Sequence, residues 1–183
     1  MNELEIKILN AALIVFSKKG YKNATTRLIA SEAGVNESTI FRKFKTKQNL
    51  FETIIHHNRE IMGEKIEHCK INMEKTDDPK VNLEYVLNSI LAIMNTNYDV
   101  LHLMITEHTN LTVKRELEYF TEAVTHGLEA IKPPEKDIDL QVVSLMIISF
   151  LLFVLYEDVI TPIENREVVL NEFKDYCAKL LGI

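Results

Sequence analysis

Glycine and proline are scarce in this chain, five and four among 183 residues. Sandwiches, barrels and doubly wound sheets turn every ten or so positions and need far more of both, so sheet architectures are disfavoured. Cysteine is scarce too. Cys69 and Cys177 lie far apart, match no metal or redox spacing and fall on apolar helical faces. They read as reduced core residues of a cytosolic protein. The opening residues, Met1 to Ile6, lack the basic stretch and cleavage site of a secretion signal, and no export is expected. The longest apolar run, Val142 to Tyr156, is broken only by Ser144 and Ser149. As a helix it rises about 22 Å, short of the ~30 Å hydrocarbon core, and acidic residues (Asp137, Asp139, Glu157, Asp158) flank it. It is expected to be buried in protein, with no membrane partner.

Chemistry-bearing patterns are also missing. The chain has no glycine-rich phosphate loop, nucleophile elbow, His/Cys metal set or conspicuous carboxylate pair. His56-His57 with Glu60 offers one metal-compatible spacing without a third ligand nearby. The reading is a protein with no catalytic residues, no metal and no cofactor.

What is present is helical periodicity. Hydrophobic residues make up 46% of the chain and recur at intervals of three and four. The fold class is all-α with about nine helices. They are expected at Glu3–Lys19, from Thr25 or Thr26 to Ala33, Glu37–Phe44 and Lys47 to about Lys70. Val81–Thr96, Tyr98–His108, Leu111–Ile131 and Ile138 to about Ile160 follow. A last helix, opened by the start signal Thr161-Pro162-Ile163-Glu164, runs to Leu181. Gly20 and Gly34 supply stops, and Asn36 and Thr46 supply caps.

Charge is uneven. Residues 1–50 carry nine Lys/Arg against four Glu, whereas residues 51–183 carry twelve against 23 Asp/Glu. The overall charge of −6 therefore conceals a basic N-terminal quarter, which would orient the molecule in the field of a polyanion.

Residues 26–44 read as a helix-turn-helix. Two short helices crossing steeply need a close approach, supplied by Ala30, and a tight turn, supplied by Gly34. Ile29, Ala33, Val35, Ile40 and Phe44 fill the small core between them. Glu37, Ser38, Thr39, Arg42 and Lys43 are then left to point outward as a base- and phosphate-reading set. The same pattern also suits a helical hairpin inside a bundle.

Beyond the pattern, Gly20-Tyr21, Ala24-Thr25-Thr26, Ile29-Ala30, Ala33-Gly34-Val35, Ser38-Thr39-Ile40-Phe41, Phe44 and Lys47-Gln48-Asn49-Leu50 stand in order and without gaps. Together they resemble the N-terminal domain of the TetR family of bacterial repressors. The resemblance covers residues 6–55 densely and implies an operator-binding domain over 1–46, followed by a helical effector-binding and dimerisation domain over 47–183. It implies that the third helix enters the major groove of double-stranded DNA. Thr26 and Lys47 would hold phosphates, while Arg27, Ser38, Thr39, Arg42 and Lys43 would contact bases or backbone. Phe41 departs from the family's usual tyrosine. Without a hydroxyl it can pack only on sugar or a thymine methyl. Glu37, unusual in a groove, would favour the helix N-terminus or accept from a cytosine amino group.

The resemblance further implies a cytoplasmic, ligand-responsive repressor, a homodimer through its last two helices. The apolar surplus of Ile138–Ile160 and a second stripe of Leu170, Cys177 and Leu181 agree with that, though they also suit a wholly internal core. Helices four to eight would enclose a cavity for a small, largely apolar effector. Met94, Tyr98, Met104, Phe120 and Met146 are suitable linings, and His102, His108 and His126 could add polar contacts. A DNA-organising protein of the same fold is the alternative.

Overall fold

A computed structural model describes residues 1–74, 76–107, 109–131, 137–160 and 162–183. The described residues form helices and no strands: α1 (Glu3–Asn23), α2 (Thr26–Ala33), α3 (Glu37–Phe44), α4 (Lys47–Met73), α5 (Pro79–Thr96), α6 (Tyr98–Thr106), α7 (Leu111–Glu129), α8 (Leu140–Leu155), α9 (Glu157–Ile160) and α10 (Arg166–Leu181). Two compact units divide them. One comprises residues Met1–Ile61 with Asn97–Glu116, the other Met62–Thr96 with Leu117–Ile183. Residue 46, the expected boundary, thus falls inside the first unit.

In the first unit, α1 starts at a capping box. Asn2 Oδ1 accepts from the Glu5 N–H at 2.9 Å, and the Asn2 N–H donates to Glu5 Oε2 at 3.1 Å. Ile8, Leu9, Ala12, Val15 and Phe16 form its buried stripe, and α1 packs on α2 and α6. The helix is interrupted at Gly20, whose φ of 73° only glycine adopts readily. α2 is capped by Thr25 and closed by Gly34 in the left-handed region, φ 62°. Its fit is conformational, because a Cβ there would meet only Lys7 Nζ at 3.8 Å. Asn36 precedes α3 in extended conformation but makes no capping hydrogen bond with its side chain.

In the second unit α5 packs on α8 and α10. Ile147, Leu151, Val154, Cys177 and Leu181 are buried, and Phe150 stacks on Phe173 with centroids 3.7 Å apart. Both cysteines are free, and burial pushes the Cys177 thiol up to about 11. Ser144, fully buried, shares a 2.9 Å hydrogen bond with Thr125 Oγ1 and donates to the Leu140 carbonyl at 2.7 Å.

Several helix boundaries differ from expectation, with α1 running on to Asn23 and α8 starting only at Leu140. The apolar run ends as a helix at Leu155, and Glu157–Ile160 forms a separate turn of helix after Tyr156. The start signal at residues 161–164 is not used. Thr161 lies outside the described residues, Pro162 and Ile163 are non-helical, and α10 begins at Arg166. Asn165 before it takes a left-handed φ of 56°, which asparagine tolerates better than most residues. Arg166 then pairs with Glu157 at 3.3 Å, tying the turn across to α9.

One side of α8 is mostly apolar, with Ser149 exposed among its apolar residues, and is uncovered among the described residues. Val142, Leu145, Met146 and Phe153 are 60, 49, 43 and 41% exposed, with Val168, Tyr176 and Leu180 exposed on α10. No described helix is long and apolar enough to cross a membrane.

Candidate nucleic-acid interface and ligand cavity

The two short helices of the first unit meet as their sequence requires. Ile29, Ala30, Ala33, Ile40 and Phe44 are buried at their contact, with Val35 half-buried. The turn is closed by backbone bonds from Gly34 N to Ser31 O at 3.2 Å and from Val35 N to Ala30 O at 2.9 Å. Those contacts fix which face α3 turns outward. Ser38, Phe41 and Arg42 are exposed on it, and Arg27 is exposed on α2. Arg42 makes no hydrogen bond or ion pair among the described residues, so its five donors are available to a partner.

Four of the other expected contacts, Thr26, Glu37, Lys43 and Lys47, are engaged inside the protein. Thr26 Oγ1 donates to Glu37 Oε1 at 2.5 Å, linking the first turns of α2 and α3. Lys43 Nζ lies 2.9 Å from Glu5 Oε1, and that bond, with the backbone bond from Asn2, holds the Glu5 carboxyl below its ordinary range. Thr39 is half-buried on α3. Lys47 turns its ammonium to the end of α1: Nζ donates to the carbonyls of Tyr21 at 2.8 Å, Ala24 at 2.9 Å and Lys22 at 3.4 Å. It also lies 4.4 Å from the Tyr21 ring centroid. A lysine there completes the negative end of α1, where Gly20 has broken the ladder. The Tyr21 ring packs on Phe16 and Phe51, and its hydroxyl donates to Gln48 Oε1 at 2.8 Å. Burial, with Glu52 and Glu107 nearby, raises the Tyr21 pKa.

The second unit contains a cavity of about 360 Å³ between α4, α5 and α7. Of the six residues expected around an effector, only Phe120 lines it. Met94 is fully buried in α5, and Met146 is exposed on α8. Tyr98, His102 and Met104 belong to the first unit, where Tyr98 stacks on His102 at 6.4 Å. Among the added histidines, His126 does line the cavity and pairs with Glu129 at 2.8 Å, whereas His108 lies outside the described residues.

Small residues make the space of this cavity. Ser89 on α5, Ala123 and Gly127 on α7, and Ala130 just past its end all line the cavity. A Cβ on Gly127 would come to 3.4 Å from Val86 Cγ2, so the two helices approach closely at that point. The helical spacing of 123, 127 and 130, and a polar Asn82 on an apolar stripe, were the available signals. His57 and Glu60 approach to 3.7 Å, and no group of three or more metal-ligating side chains is placed together among the described residues.

Comparison with known proteins agrees with this geometry. The profile of the tetR family of bacterial regulatory proteins matches residues 8–54. An uncharacterized HTH-type transcriptional regulator of Bacillus subtilis, YvkB, is 41% identical over 69 residues, 38% of this chain and 36% of its own length. The chain spans less than two thirds of the length of the curated relatives it matches. Among solved structures, the transcriptional regulator FadR from Bacillus subtilis in complex with stearoyl-CoA superposes with TM-score 0.69 at 17% identity, covering 96% of this chain and 98% of that one. AibR in complex with isovaleryl coenzyme A and operator DNA superposes with TM-score 0.72 at 12% identity, covering 95% and 97%. Residues 8–54, which hold the helix-turn-helix, thus match the tetR family of bacterial regulatory proteins, and the fold is shared with these regulators along nearly the whole length.

Proposed function

We propose that the protein is a cytoplasmic, homodimeric repressor that binds operator DNA through α3 and leaves it when a small, largely apolar molecule fills the cavity of the second unit. The observation that carries this reading is the outward face of α3. Ser38, Phe41 and Arg42 stand exposed on a helix anchored by Ile40 and Phe44, within the basic quarter of an acidic chain. Arg42 has the fork that matches guanine O6 and N7, and Phe41 offers an apolar edge to a thymine methyl. One such unit spans too little DNA to bind tightly, and a two-fold dimer reads two half-sites about 34–36 Å apart. The apolar row on α8 supports that dimer. AibR's solution with both a ligand and operator DNA supports a regulator of this fold that responds to a small molecule. α4 extends from residues of the first unit into residues that line the cavity, and would carry the response.

Selection of genomic fragments by the purified protein, followed by anisotropy titration on the selected and scrambled DNAs, tests the reading. Binding of the selected site at least a thousandfold tighter than scrambled DNA is expected. Equal binding of both would sink it. Stearoyl-CoA, isovaleryl-CoA and uncharged lipophiles are then added to the complex, and release by one of them is expected.

Glu5 tempers the electrostatics of this face. Its carboxylate neutralises Lys43, so Glu5→Gln should free one ammonium per subunit for phosphate. The log–log salt slope should steepen by about one unit per half-site, with scrambled DNA gaining affinity at least as much as the operator. An unchanged slope would show that Lys43 stays away from DNA. Because the Glu5 pKa is lowered in the folded chain, the pair is intact above the ordinary carboxylate range and is lost as pH falls through the folded value. The slope of the unmodified protein should therefore approach that of Glu5→Gln in acid.

A further inference from the structure

We propose that the cavity is a slot for one unbranched alkyl chain of about ten carbons, its polar end at the rim beside Lys70, Glu74 and His126 and its tail against Phe120 and Ile93. The inference rests on the cavity being the effector site and names the class of effector, a medium-chain amphiphile with a single tail. Val86 on α5 and Gly127 on α7 meet where a Cβ on the glycine would lie 3.4 Å from Val86 Cγ2. From that point the lining runs seven residues along each helix, to Ile93 on α5 and Phe120 on α7. In the other sense it runs only four and three, to Asn82 and Ala130. Those lengths match when the two helices run antiparallel, which puts Ile93 and Phe120 at one end of the cavity and Asn82 and Ala130 at the other. Lys70 and Glu74, at the end of α4, belong with Asn82, whose Nδ2 donates to the carbonyl of nearby Thr76 at 3.1 Å.

The two ends differ in character. Ile90, Ile93 and Phe120 are 4, 2 and 6% exposed and make a dry apolar floor. Lys70, Glu74, His126 and Ala130 are exposed and make a rim that water reaches. Such a gradient suits a molecule that is polar at one end and apolar along the rest. From Ala130 to Phe120, α7 and its last turn rise about 15 Å. A volume of about 360 Å³ spread over that depth leaves a cross-section of about 24 Å², the width of one extended alkyl chain and less than a fused ring needs. At roughly the 30 Å³ that a water occupies in the liquid, the same volume holds on the order of a dozen heavy atoms. A stearoyl chain, as in the FadR complex, would leave part of its length outside. Each methylene moved from water onto the apolar wall should tighten binding about fourfold. That gain ends where the tail meets Phe120 and Ile93, because further carbons stay in the mouth.

The test measures displacement of a fluorescent apolar probe from the full-length protein by two series, 1-hexanol to 1-hexadecanol and hexanoate to hexadecanoate. In at least one series affinity should rise about fourfold per carbon as far as the decyl or dodecyl chain and then level off. 1-Adamantanol, which holds as many carbons as 1-decanol in a compact cage, should bind at least about tenfold more weakly, as a body too wide for the slot leaves its apolar surface in water. Ala123→Leu adds a side chain at a half-buried position midway along the slot and should move the break toward the octyl chain. Phe120→Ala removes the floor and should move it toward the tetradecyl chain. Continued gain through hexadecyl, equal binding of 1-adamantanol and 1-decanol, or binding by neither series overturns the proposal, and the unmodified protein decides all three whether or not the variants fold. So does a break that stays in place in folded Ala123→Leu. DNA release is read in parallel. Release without a break in chain length removes the slot and leaves the effector reading intact. A break without release supports the slot and sinks the effector reading instead.

Discussion

Met146→Glu in α8 is expected to leave the protein monomeric and to weaken operator binding by roughly 10²–10⁴-fold, the range gained when two linked modules bind together. Val142, Leu145, Met146 and Phe153 form a row along α8, and the helix carries no charged residue from Leu140 to Leu155. An apolar row of this length facing water fits a contact with a second copy of the chain. A two-fold axis would lay the row against its own copy, together with Val168, Tyr176 and Leu180 of α10. A carboxylate in the middle of that contact would be desolvated without a partner, which the interface cannot offset. The position is chosen so that the subunit's own core survives. Met146 is 43% exposed within the chain, whereas Phe173 stacks on Phe150 and a charge there would disrupt the subunit itself. Light scattering should report a dimer of the 21.1 kDa chain before the substitution and a monomer after it. A dimer that persists with unchanged operator affinity would move the interface elsewhere.

The parts legible in the sequence are those that local chemistry decides. Gly34 ends α2 in a conformation that glycine adopts freely, Thr25 caps it, and the spacing of Ile29, Ala33, Ile40 and Phe44 closes the small core. None of that depends on residues far along the chain. The cavity does. It exists because Gly127 brings α7 close to Val86 of α5 while Ser89 and Ala123 leave space beside them. Methionines and aromatics tend to fill space, and Met94 is packed at 0% exposure. The start of α10 failed for a related reason. Its local signal at 162–164 was overridden by a turn at Asn165 that the Arg166–Glu157 pair secures. Lys47 illustrates the same limit, since its carbonyl partners lie more than twenty residues earlier.

Arg42→Ala and Lys47→Met should separate two kinds of basic residue. Arg42 is exposed on α3 without an intramolecular partner among the described residues, and its removal should cost roughly 1–3 kcal/mol per half-site. Both half-sites of a dimer lose it, so the operator should bind about 30-fold more weakly or worse, and preference should relax at one base pair of each half-site. Scrambled DNA should lose far less. Lys47 was expected, from the family resemblance, to hold a phosphate. The structure instead gives its ammonium three carbonyl oxygens at the end of α1. Its loss leaves those acceptors without their charge-assisted donor, a cost on the order of 1–3 kcal/mol. At roughly 2–4 °C per kcal/mol for a chain of this size, the melting temperature should fall by several degrees. The salt slope of the folded variant should stay within a fraction of a unit of the unmodified protein's. A slope reduced by about one per subunit with stability unchanged would show that Lys47 leaves α1 for a phosphate when DNA binds. Equal loss of operator and scrambled binding in Arg42→Ala would mean that Arg42 touches only backbone. If neither substitution alters DNA binding, α3 is not the reading helix.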